Sequence, residues 1–176
     1  MPNPQNILPT GYNTMNNEES EPLSFSTTLK SQFALNNIRI QNNLLSLTTD
    51  TTTYVNLARY LKEHDFDRCL TISATDWLDT NEFEIYYLVH NLKNNIYMKV
   101  AVRIPRKKPE LTSLSTVWES AAMHEREMWE LFGITFVGNL MLKPLFLEDW
   151  TNLPPLRKDF NWRDYVAQEY YKTEEG

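Results

Sequence analysis

The chain has 176 residues, with 17 Lys plus Arg against 23 Asp plus Glu and a net charge of −6, the opposite of the basic excess carried by a general nucleic-acid binder. A single Cys and three His cannot close an intrachain disulfide or build a cysteine-ligated zinc or iron–sulfur centre. The four glycines, Gly11, Gly133, Gly138 and Gly176, have none of the spacings that wrap a dinucleotide or triphosphate in backbone amides, so no self-contained cofactor enzyme is expected.

In chain order, residues 1–23 carry Pro2, Pro4, Pro9, Gly11 and Pro22 among Asn, Gln and Glu, which predicts a disordered arm. The first basic residue is Lys30, so neither a secretory signal nor a transit peptide is expected. Phe25, Leu29 and Phe33 stand at four-residue steps and predict a short helix over Ser24 to Leu35. Ile38 to Leu47 reads as one or two strands around Asn42-Asn43. Asp50 or Thr51 then caps a helix in which Tyr54, Leu57, Ala58 and Leu61 share a face, ending near His64.

Three strands follow, Arg68 to Trp77, Phe83 to Leu92 and Ile96 to Ile104. Phe83, Ile85, Tyr87 and Val89 alternate to one side, as do Met98, Val100, Val102 and Ile104. Lys93-Asn94-Asn95 supplies the turn between the last two strands. Lys99 and Arg103 mark the opposite, polar face. The expected class is therefore α+β, a mostly antiparallel sheet covered by helices on one face. Cys69 is expected to be a buried small hydrophobe in a reducing compartment. Pro105 and Pro109 bracket Arg106-Lys107-Lys108, which reads as a solvated loop or a docking point for a partner.

A helix from Ser115 or Thr116 to Phe132 is expected next, closed by Gly133 in the left-handed conformation. Trp118, Ala121, Ala122, Met128, Trp129 and Phe132 form its apolar stripe, with Glu125 at the centre. A carboxylate there needs a cationic partner or a proton; Arg157 is the first candidate partner and Arg103 the second. His124-Glu125 opens like the zinc-protease motif H-E-x-x-H, but Met128 stands where the second imidazole belongs. Glu125 and Glu127 diverge on a helix and cannot form an acid/base pair. The stretch Gly133 to Leu147 is broken by Lys143 and Pro144 and is too short to span a bilayer. Beyond it, Phe146, Trp150, Phe160, Trp162, Tyr165, Tyr170 and Tyr171 lie in a proline-interrupted segment, the composition of a partner-binding surface. The expected organisation is a disordered arm over 1–23, an α+β domain over 24–133, and an extended, partner-binding C-terminal segment over 134–176.

The run from His124 to Gly138, followed by Leu147-Glu148-Asp149-Trp150 and Pro155-Leu156-Arg157-Lys158-Asp159-Phe160, resembles the thirty-kilodalton subunit of respiratory complex I. Glu125, Arg126, Glu127, Glu130, Leu131, Phe132 and Gly133 match the family's first signature. Pro155, Leu156, Arg157, Lys158, Asp159 and Phe160 match its second. The resemblance implies a cofactor-free scaffold in the peripheral arm of a proton-pumping NADH:quinone oxidoreductase, on the cytoplasmic or mitochondrial matrix face of the membrane. Its implied partners are the larger quinone-site or hydrogenase-like subunit and the iron–sulfur subunits, which would carry the complex's clusters. Contact with the membrane is indirect, and no nucleic acid is expected. Trp150, Phe160, Trp162 and Tyr165 are the candidate partner-binding residues. After Gly138 the family usually has His-Pro, whereas here Asn139-Leu140 follow. That departure keeps open an F420H2 dehydrogenase or a membrane-bound [NiFe] hydrogenase. A remoter alternative is an independent hydrolase using Glu125 and His124.

Overall fold

Residues 20–171, other than 34 and 151, are described by the structure, a computed structural model of the chain. The first helix among the described residues, α1, runs Ser20–Gln32, followed by β1 (Asn36–Gln41), β2 (Leu44–Thr49), α2 (Thr51–Glu63), β3 (Arg68–Trp77), β4 (Glu82–Asn91) and β5 (Ile96–Pro105). Then come β6 (Glu110–Thr112), α3 (Ala121–Phe132), β7 (Thr135–Val137) and α4 (Trp162–Tyr170). The predicted arm over 1–23 lies outside the described residues up to position 19, and helix α1 already begins at Ser20.

The alternation in β4 and β5 builds the core. Phe83, Ile85, Tyr87 and Val89 face the same side as Met98, Val100, Val102 and Ile104, and all are buried. Five strands assemble in the order β1-β2-β5-β4-β3. All neighbours are antiparallel except β2 and β5, which run parallel because α2, β3 and β4 intervene in the chain. The α+β class with a mostly antiparallel sheet is as expected. Against the apolar face, α2 buries Tyr54, Val55, Leu57, Ala58 and Leu61, and α3 buries Ala121, Met128 and Phe132. Phe132 meets Phe83 edge-on at 6.1 Å. On the opposite face Lys99 lies over the Tyr86 ring at 4.1 Å, and Arg103 pairs with Glu82 and Glu84 at 3.2 and 3.3 Å.

Helix α3 begins at Ala121, later than its apolar stripe predicts. The preceding residues form tight turns instead, with Val117 and Trp118 amides bonded to the Leu114 carbonyl. Trp118 causes the bend: its indole N–H donates to the Phe66 carbonyl at 2.8 Å, drawing the chain toward the start of β3. The chain after Gly133 is not extended throughout. Strand β7 pairs in parallel with β6, Ile134 and Phe136 join the core, and α4 closes the described chain. Cys69 is buried, and burial, followed by the nearby charge of Glu125, pushes its thiol up to about 12. No helix among the described residues is long and apolar enough to cross a membrane.

The Asp50 cap of α2 isolates one local contribution. Its carboxylate accepts from the amides of Thr52 and Thr53, both at 2.8 Å, and from the Thr53 hydroxyl at 2.6 Å. Asp50→Ala is expected to lower unfolding free energy by about 0.5–2 kcal/mol in a urea titration, with the slope of the transition unchanged.

Candidate functional site

Three polar side chains of α3, Glu125, Arg126 and Glu130, bind polypeptide beyond the helix, each at a different stretch, and Glu125 also binds residues that precede it. Glu125 is fully buried, at 0% exposure. Its carboxylate accepts from the Ser113 hydroxyl at 2.6 Å, the Leu114 amide at 2.6 Å and the Asn139 side-chain amide at 2.9 Å. All three donors are neutral. The expected pairing with Arg157 or Arg103 is therefore corrected: Arg157 turns to Asp159 at 3.3 Å, and Arg103 is held by Glu82 and Glu84. Three converging donors satisfy a buried carboxylate without a cation. Burial raises the Glu125 pKa, and the three bonds offset that only in part. Asn139 is the residue that reaches Glu125 from beyond the helix.

At the next position, the Arg126 guanidinium donates to the carbonyls of Lys143 (2.7 Å) and Pro144. Glu130 then accepts from three consecutive amides, Leu145 at 2.8 Å, Phe146 at 2.9 Å and Leu147 at 2.8 Å. Successive amides turned toward one point make an anion-binding concavity, and here the chain's own carboxylate fills it. Burial pushes Glu130 up, but the amides, aided by the charge of Arg126, outweigh it and leave the carboxyl below its ordinary value. Gly133 ends the helix at φ 75°, and a Cβ there would stand 3.0 Å from the Pro154 ring. A side chain at this position would be strained by the left-handed turn and would crowd Pro154. The Leu156 amide meets the Leu131 carbonyl at 3.0 Å.

A second clamp holds the Arg157-Lys158-Asp159 segment. Arg106 is only 6% exposed and pairs with Asp76 and Asp159, each at 2.7 Å. Asp76 also accepts the Lys158 amide at 2.8 Å. Burial works against the charge on Arg106, yet the two carboxylates outweigh it and raise its pKa. Asp159 is pushed up by burial and pulled down further by Arg106 and Arg157, so its pKa is lowered. Reading Arg106 as part of a solvated basic loop is thus corrected. The signal was present in β3, where Ile72, Ala74 and Asp76 fall on the core-facing parity opposite Tyr87, Ile85 and Phe83. An inward aspartate at that parity calls for a cation.

Of the four candidate partner-binding aromatics, three pack on one another. Trp150 lies 5.6 Å from Phe160 and 4.9 Å from Tyr165, with Phe160 and Tyr165 6.0 Å apart. Trp162 lies outside that group, 62% exposed, with the Arg163 guanidinium over its ring at 5.7 Å. Glu127 is half-buried, and Phe132 lies in the core. Gly138 follows β7 at φ 98°. Pro155 is half-buried and Leu156 exposed beside the Arg106 clamp. His124 and Glu125 do not converge on a common surface: Glu125 is fully buried and His124 only half so. Among the described residues, no group of three or more His, Cys, Asp or Glu is arranged to hold a metal ion.

A family model described as the respiratory-chain NADH dehydrogenase 30 Kd subunit matches residues 47–166. The C 2 subunit of the NADH-quinone oxidoreductase of Rhizobium meliloti is 30% identical over 136 residues, 75% of this chain and 74% of the relative. The C subunit of the F(420)H(2) dehydrogenase of Methanosarcina mazei is 35% identical over 106 residues, 59% of this chain and 67% of the relative. Two solved structures share the fold. A chain of the membrane-bound sulfane sulfur reductase, an archaeal respiratory membrane complex, superposes with a TM-score of 0.77 at 24% identity, over 90% of this chain and 95% of that one. A trypsin-resistant fragment of Nqo5 superposes with a TM-score of 0.57 at 22% identity, over 72% of this chain and 98% of the fragment.

Two substitutions separate the two clamps. The lowered pKa of Glu130 means that its stabilisation is complete above the ordinary carboxyl value of 4.5 and is lost as pH falls through its folded-state value. Glu130→Gln should therefore cost about 1.5–3 kcal/mol at neutral pH, and the gap to wild type should close in denaturant titrations run at progressively lower pH. Arg106→Leu leaves Asp76 buried without its cation. It should cost about 3–5 kcal/mol and speed limited proteolysis between residues 154 and 171.

Proposed function

The chain belongs to the family of the respiratory-chain NADH dehydrogenase 30 Kd subunit, and from that membership we propose that it is a scaffold in the peripheral arm of a complex I-like oxidoreductase. It holds the quinone-site and iron–sulfur subunits in register for electron transfer while carrying no redox group itself. The complex has iron–sulfur clusters; this chain contributes surface. It sits at the cytoplasmic or mitochondrial matrix face of an energy-transducing membrane and reaches the bilayer only through its partners.

The observation that carries this reading is the use to which the polar side chains of α3 are put. Glu125, Arg126 and Glu130 bond to the chain's own backbone and to Ser113 and Asn139. A carboxylate at 0% exposure has no route to a substrate, which speaks against the hydrolase alternative. The segment so arranged carries much of the exposed apolar surface, including Leu140, Phe146, Leu156, Trp162, Tyr170 and Tyr171, and exposed aromatic and aliphatic groups of this kind are what protein partners cover. A second reading, the equivalent subunit of an F420H2-linked complex, is favoured by the 35% identity with the Methanosarcina mazei protein.

Affinity purification of the tagged full-length chain from its native host decides between them. The expected result is a stable multi-subunit complex with iron–sulfur absorbance that the separately purified chain lacks. Co-purification of a flavoprotein NADH module supports the first reading, and of an F420H2-oxidising subunit the second. A partner-free chain with turnover abolished by Glu125→Gln would sink both.

A further inference from the structure

Not every polar residue of α3 is used within the chain. Glu127 is half-buried on the side of α3 away from the core and makes no hydrogen bond or ion pair among the described residues. Met123, one turn earlier on the same face, is exposed. Beside the start of that face lies the turn after β7. Its Asn139 side chain is buried, donating to the Ala122 carbonyl at 3.1 Å and to Glu125, and accepting the Met141 amide at 2.8 Å. The Asn139 amide in turn bonds the Phe136 carbonyl at 3.1 Å.

Leu140 stands at the tip of this turn, 99% exposed. Its position is not that of a loose loop, because Asn139 before it is fastened to α3 and to Glu125, and the Met141 amide after it is fastened to the Asn139 side chain. A leucine held rigidly in water adds nothing to the stability of the isolated chain, since apolar area stabilises only when it leaves water. Covered by a partner, the same side chain needs little ordering on binding, which favours affinity. Val137 and Met141, both exposed, widen the apolar surface around it, and Glu127 supplies an unpaired charge on the adjoining helix face.

We propose that Leu140 anchors an interface with a neighbouring protein of the same complex: it enters an apolar recess on that neighbour, and a lysine or arginine beside the recess pairs with Glu127. The proposal rests on the reading of the chain as a scaffold within a complex and adds to it which surface faces the partner and what chemistry the partner presents. The occupant is a protein surface of mixed apolar and basic character, the complement of an exposed leucine in the turn held at Ala122 and an unpaired carboxylate one turn beyond Met123 on α3.

The test uses the full-length chain in its native host. Hydroxyl-radical footprinting of the wild-type complex should show Leu140, Met141 and Met123 protected about tenfold relative to the purified chain. Leu140→Asp and Glu127→Lys should each lower recovery of assembled complex about tenfold or more, while the melting temperature of each isolated variant stays at the wild-type value. If the wild-type chain assembles but these side chains are oxidised equally in the complex and alone, the interface is wrong while the scaffold reading stands. Full recovery with both variants overturns the interface in the same way. If the wild-type chain recovers no partner at all, the scaffold reading fails and the interface with it.

Discussion

A charged side chain taken out of water must find its bonds inside the protein, and here Glu125, Glu130 and Arg106 find many of theirs in the polypeptide beyond Gly133. That requirement organises the molecule. Among the described residues, the buried apolar core draws on none beyond Phe136, with Leu142 packed at its edge, whereas the charges on α3 and at the end of β5 take bonds from residues 139–160. The C-terminal segment has little regular structure and follows its path because buried donors and acceptors on the domain leave few other ways of pairing.

The two buried glutamates of α3 act oppositely with pH. Glu125 is surrounded by neutral groups, so burial dominates and raises its pKa; the cost of its charge eases as the medium becomes more acidic. Glu130 faces three amides and the charge of Arg126, which lower its pKa, and its contribution fades on acidification. The amide concavity therefore tolerates a full charge, whereas the Ser113–Leu114–Asn139 cage holds its carboxylate more neutrally. Five residues apart on one helix, they differ because Glu125 is the more deeply buried and has no cation beside it, whereas Glu130 keeps some exposure and faces three aligned amides and Arg126.

Most of the fold was legible in the sequence, because strict alternation in β4 and β5 and the i, i+3, i+4, i+7 spacing in α2 each admit one reading. The burial of Glu125 was legible for the same reason, since it interrupts an apolar stripe. Its partners were not. Ser113 and Asn139 carry no charge, and nothing in their local pattern distinguishes them from surface residues. Arg106 was misread because it stands among Lys107 and Lys108, and a run of cations looks solvated; only its pairing with Asp76 across the sheet end reveals one buried member. The start of α3 was placed early because Trp118 fits the helical stripe, while its indole serves a carbonyl on a different element. These misses share a cause: the deciding bond joins residues distant in the chain.

Arg126 and Glu130 hold the loop beyond β7 by its main chain alone, at the carbonyls of Lys143 and Pro144 and the amides of Leu145, Phe146 and Leu147. Every residue type supplies such a carbonyl, and every type except proline such an amide. The course of this loop is thus set by atoms that substitution leaves in place. Its side chains can be exchanged to suit different neighbours without moving the polypeptide that displays them, which gives one architecture the latitude to fit more than one assembly.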